Sequence, residues 1–175
     1  MVPRRSGLVV WVPEAEPLVR SFRERFDAES VARGVVPHVT VLFPFAPAED
    51  VYELVPSVAE LASTFAGFDA SLTVVRRFEE HVWLAPSPPW RFVELTEATG
   101  ARFPGLLPYE GAFENVVPHL TIGVTGPGAT IEEIVSAAEH ELAPHLPQPF
   151  RVEALSLFVE QLDGSWSVDR RFPFG

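Results

Sequence analysis

Apolar residues recur along this chain with two periods. Residues 7–12 are an almost unbroken apolar run rich in Val and Trp, which predicts a strand. Leu18, Phe22 and Phe26 then fall four apart, which predicts a helix over residues 14–26 with those three on its buried face. A connection leads to Val35-Val36-Pro37-His38-Val39-Thr40, whose apolar continuation Val41-Leu42-Phe43 predicts a strand approached through a proline. Val51, Leu54, Val55, Val58, Leu61, Ala62 and Phe65 keep a helical period, and Pro56 within it predicts either a kink or a fresh helix start. Residues 68–78 and 81–85 read as two strands, 88–102 as a helix, and 103–115 as a long loop poised to lie over a site. After a second proline-led strand, Thr130-Ile131-Glu132-Glu133 has capping-box spacing for a helix reaching Leu142. Residues 150–161 and 165–172 flank the hairpin signal Asp163-Gly164. The resulting order, β-α-β-α-β-β-α-β-α-β-β, suggests one α+β or α/β domain over residues 1–175, with two similar lobes.

The second proline-led strand, Val116-Val117-Pro118-His119-Leu120-Thr121, nearly repeats the first. Side chains alternate along a strand, so His38 and Thr40 share one face, as do His119 and Thr121, and each lobe is expected to place its His strand near the middle. If the lobes pack about a pseudo-twofold axis, both imidazoles face one cleft. One neutral ring then takes a proton from an attacking water or hydroxyl while the other, protonated, gives one to the leaving oxygen. The Thr40 and Thr121 hydroxyls would bind non-bridging phosphate oxygens.

Composition narrows the chemistry. The chain has no Cys and no Lys, all 13 basic residues being Arg, which removes disulfides, thiolate chemistry, Schiff bases and a P-loop lysine. A net charge of −11 counts against gripping long nucleic acid but leaves room for a small phosphate ligand. No apolar run is long enough to span a bilayer, which places the protein in the cytoplasm as an expectation.

Through these two motifs the chain resembles the two-histidine phosphoesterases, the superfamily that includes the 2'-5' RNA ligases and cyclic phosphodiesterases. Pro37-His38-Val39-Thr40-Val41-Leu42-Phe43-Pro44-Phe45 resembles the first family motif, Pro118-His119-Leu120-Thr121-Ile122 the second, 81 residues later, and His81-Val82-Trp83-Leu84 the middle of these proteins. The resemblance implies a bilobal α+β fold with mainly antiparallel sheets, outer helices and a central cleft. It further implies metal-independent opening of 2',3'-cyclic phosphates, sometimes with reversible 2'-5' joining of RNA ends. His38 and His119 would be catalytic, Thr40 and Thr121 would hold phosphate, and no cofactor is required. The absence of Lys and the acidic charge favour a small nucleotide or short RNA end, handled by a monomer. The rival reading is a non-catalytic module that binds a nucleotide or RNA end in the same cleft.

Lesser signals complete the expectations. Of Arg76-Arg77 and Arg170-Arg171, alternation allows only one of each pair to reach the cleft, the other reading being a solvated surface. Tyr109 and Phe113 either stack on a base or pack in the core. Gly123, Gly126 and Gly128 have the wrong spacing for a dinucleotide loop and read as a turn. His140 and His145 read as exposed, and the apolar residue inside each His-x-Thr argues against a metal.

Overall fold

The computed structural model describes residues 2–106 and 116–175. In chain order its elements are β1 (Ser6–Trp11), α1 (Glu16–Phe26), α2 (Ala28–Ala32), β2 (His38–Leu42), α3 (Val55–Ser63), β3 (Phe68–Arg77) and β4 (His81–Ser87). They continue as α4 (Pro89–Arg102), β5 (Leu120–Val124), α5 (Ile131–Glu141), β6 (Gln148–Val152), β7 (Ala154–Glu160) and β8 (Trp166–Pro173). The strands form two four-stranded antiparallel sheets, ordered β2-β1-β7-β8 and β5-β4-β3-β6, so the fold is α+β.

Both His strands lie at sheet edges rather than near the middle. Pro37 and Pro118 precede these strands and take no place in either ladder. The two edges approach one another, β2 against β5. Helices cross between the sheets: α1 packs on β5 and α4 on β2, while α5 covers β3 and β4. Gly123 on β5 permits this closeness, since a Cβ there would stand 2.7 Å from Cγ2 of Ile134 and 3.1 Å from Cβ of Phe26.

Local expectations hold in several places. Thr130 and Glu133 form the capping box of α5, with the Thr130 N–H donating to Glu133 Oε2 at 2.7 Å and the Glu133 N–H to Thr130 Oγ1 at 3.2 Å. Pro56 sits in the first turn of α3, making it a fresh start rather than a kink. Gly164 turns the last hairpin with φ of 82°, a conformation that favours glycine.

Two further expectations are corrected. The stretch 150–161 is not one strand: exposed Glu153 separates β6, which pairs with β3, from β7, which pairs with β1 in the other sheet. On α1 the fully buried side chains are Val19, Phe22 and Arg23, while Leu18 and Phe26 pack only at the edge of the core. No helix among the described residues is long and apolar enough to cross a membrane.

Candidate active site

The two motifs are wired alike. Nδ1 of His38 lies 2.7 Å from the carbonyl oxygen of Val36, and Nδ1 of His119 lies 2.7 Å from that of Val117. A carbonyl only accepts, so each neutral ring is held as the Nδ1–H tautomer, and its basic lone pair is on Nε2. His38 opens β2 and His119 stands one residue ahead of β5. Alternation then puts each Thr on the face of its His.

Cross-strand register extends these faces. Thr40 pairs with Val9, Val9 with Ser156, and Ser156 with Arg171 in the first sheet. In the second, Thr121 pairs with Trp83 and Trp83 with Arg76. Paired residues point the same way, so Arg76 and Arg171 belong to the histidine faces. Arg171 is tied to Glu153 at 3.2 Å, and Arg77, on the opposite face from Arg76, reaches Glu132 of α5 at 3.3 Å. Among the described residues no acidic group lies within ion-pair distance of Arg76.

Burial is the main electrostatic influence on both rings, since it disfavours the imidazolium. It pushes His38 down to about 4, opposed by the Val36 carbonyl and reinforced by the charges of Arg23 and His119. His119 is also lowered by burial, opposed by the Val117 carbonyl and reinforced by His81. Each ring's proton affinity therefore falls below the ordinary value, and the charge on His119 is felt at His38.

Aromatic walls flank both rings, and no local sequence pattern marks them. Phe158 lies 5.5 Å from His38 between centroids, while Phe78 and Trp83 lie 5.0 and 5.8 Å from His119. A pocket of about 170 Å³ at His38 and Thr40 is completed by Gly7, Val9, Val35, Phe43, Phe158 and Trp166. Beside it, the Arg5 guanidinium lies over the Phe43 and Trp166 rings at 5.8 and 5.4 Å and makes a two-point contact with Glu160. Arg33 also binds Glu160, at 2.8 Å. The Arg5 hydrogen bond is the first cause holding the Glu160 carboxyl at about 2. An i, i+2 signal pointing from Thr40 to Val9 and on to Phe158 does not exist in one dimension, because β1, β2 and β7 are far apart in the chain.

Among the described residues no group of three or more His, Cys, Asp or Glu side chains could hold a metal ion. Phe103 packs in the core, edge-on to Phe45 at 5.1 Å; Tyr109, Phe113 and most of the loop expected over the site lie outside the described residues.

A sequence profile of the 2'-5' RNA ligase superfamily matches residues 11–164. Among solved structures, the chain is similar to E. coli LigT complexed with 3'-AMP, at 17% identity over 99% of each chain with a TM-score of 0.62. It is also similar to TT0787 of Thermus thermophilus, at 20% identity over 97% of each chain with a TM-score of 0.64. A third, described as a phosphoesterase, matches over 99% of both chains at 17% identity with a TM-score of 0.59. At these identities the likeness shows the fold. No curated protein sequence matches the chain significantly.

Proposed function

The chain belongs to the 2'-5' RNA ligase superfamily, and on that premise we propose that it is a metal-independent phosphodiesterase acting on 2',3'-cyclic or 2'-linked nucleotide phosphates. The observation that carries this reading is the matched pair of Nδ1–carbonyl hydrogen bonds on two sheet edges that meet. Each histidine has the same tautomer and a hydroxyl on its face, which supports a shared acid–base role.

In hydrolysis, one neutral imidazole accepts a proton through Nε2 from the attacking water, and the water oxygen bonds to phosphorus. The other, as imidazolium, donates its Nε2 proton to the ribose oxygen as the P–O bond breaks, so the roles of the rings are exchanged at the end of the step. Burial disfavours two charged rings, and an anionic phosphate between them supplies the counter-charge that lets one protonate. Thr40 and Thr121 donate to the non-bridging oxygens, where charge grows in the transition state. A ribose hydroxyl in place of water would run the same geometry toward 2'-5' joining. The net charge of −11 favours a mononucleotide or short end over long RNA. LigT complexes with 3'-AMP, ATP and phosphate support a nucleotide ligand for this fold.

Hydrolysis of 2',3'-cyclic nucleotides and of short RNAs ending in a cyclic phosphate, measured in excess chelator, tests the proposal. Turnover in chelator that is lost in both His38→Ala and His119→Ala is the expected result. Full activity in both variants would sink it, and tight binding without turnover across the panel would favour a binding module.

A further inference from the structure

Arg23 is the one charged residue in the buried core of the described residues, at 3% exposure. It lies on α1, the helix that packs across onto β5, so it stands where the two sheets meet. Its compensation is incomplete. Nη2 donates to the carbonyl of Val35 at 2.7 Å, Nε has no hydrogen-bond partner, and the ion-pair partner Asp27 is 4.0 Å away. Asp27 is itself half-buried, and burial pushes its carboxyl up, toward the neutral form. An apolar side chain at this position would avoid the desolvation of a guanidinium, so the residue calls for a purpose other than packing.

The partner it chooses supplies one. Val35 precedes Val36, whose carbonyl holds the Nδ1–H of His38. Arg23 thus anchors the peptide just ahead of the one whose carbonyl orients the ring. Its fixed charge also acts on that ring, as does His119. The other charges on the surrounding elements are engaged elsewhere: on α4, Arg91 with Glu94 and Arg102 with Glu60; on β7, Glu160 with Arg5 and Arg33. The charge of His81 acts on His119, and Arg76 shares the face of Thr121.

We infer that Arg23 is a positioning residue for His38: by holding the Val35 carbonyl it fixes the segment whose next carbonyl, that of Val36, holds the ring in its Nδ1–H tautomer. This inference deepens the phosphodiesterase reading and rests on it for its catalytic half.

Imidazole NMR titrations of the wild type, Arg23→Met, Arg23→Gln and Arg23→Lys test the inference directly. Removing a nearby cation raises the proton affinity of His38. In Arg23→Met its titration is therefore expected to move to higher pH and its Nδ1–H signature to weaken, with His119 changing less. Arg23→Gln, whose amide nitrogen falls two bonds short of the position of Nη2, should behave like Met; Arg23→Lys, which keeps a cation and a donor, should shift it less. In turnover assays kcat should fall in Arg23→Met and be partly restored in Arg23→Lys. A folded Arg23→Met protein with unchanged His38 titration and tautomer overturns the inference, as does failure of all three variants to fold, which would make Arg23 structural only. If the wild type turns over no cyclic phosphate, the phosphodiesterase reading fails while the titrations still decide the role of Arg23.

Discussion

Thr121 and Arg76 share one face of the second sheet, linked through Trp83, which pairs with both of their strands. Arg77, the next residue, points away and binds Glu132 at 3.3 Å. Arg76 is therefore the cation of its pair that a phosphate bound at Thr121 would meet. Arg76→Ala is expected to raise KM for cyclic nucleotides by about 10- to 100-fold with kcat little changed, as befits loss of a charged hydrogen bond worth about 1.5–3 kcal/mol. Arg77→Ala should leave both constants near wild type. Steady-state kinetics on the two variants distinguish them, and equal effects would remove Arg76 from the site.

The histidines should behave as a unit. His38→Ala and His119→Ala are each expected to lower kcat by about 10²–10⁴-fold, with the double variant little worse than either. Thr40→Val and Thr121→Val, which remove a donor and keep the shape, should lower kcat with smaller effects on KM. Single-turnover rates on a 2',3'-cyclic nucleotide read all five proteins.

The pH profile follows from the lowered His38 value. The folded ring binds its proton less tightly than the unfolded one, so protonation favours unfolding. The contribution of His38 is neutral to stability above about pH 6.5 and turns against the fold as pH falls from 6.5 toward about 4. Tm should accordingly fall across that window, and by less in His38→Gln. If His38 is the base, kcat/KM should persist well below pH 6.5, with its acid limb near 4. An acid limb at 6.5 would contradict the desolvated ring.

Gly123 offers a test of packing apart from chemistry. A methyl there would press on Ile134 and Phe26, the closest contact being 2.7 Å, in a core where α1 and α5 meet β5. Gly123→Ala should cost about 1–3 kcal/mol in denaturant unfolding. A neutral result would mean that α1 can shift away from β5 at little cost.

Much of this was legible in one dimension. The period of Leu18, Phe22 and Phe26 located α1, the Thr130–Glu133 spacing located the capping box of α5, and Asp163-Gly164 located the last turn. Glu153 was not legible as a boundary, because the residues on either side of it continue an apolar pattern whether they belong to one sheet or two. Arg23 was not legible either: an arginine on an amphipathic helix ordinarily reads as solvated.

What the sequence determined by itself was parity. Alternation puts His38 with Thr40 and His119 with Thr121, and lets only one arginine of Arg76-Arg77 join them, because successive side chains leave a strand on opposite faces wherever that strand is placed. Only the tertiary structure decided which strands are neighbours. That choice put both histidine strands at edges, brought β2 to β5, selected Arg76 over Arg77, lined His38 with Phe158, and buried Arg23 behind Val35. The physical reason is that pairing and burial are settled by surfaces contributed from distant parts of the chain, and no local periodicity carries that information.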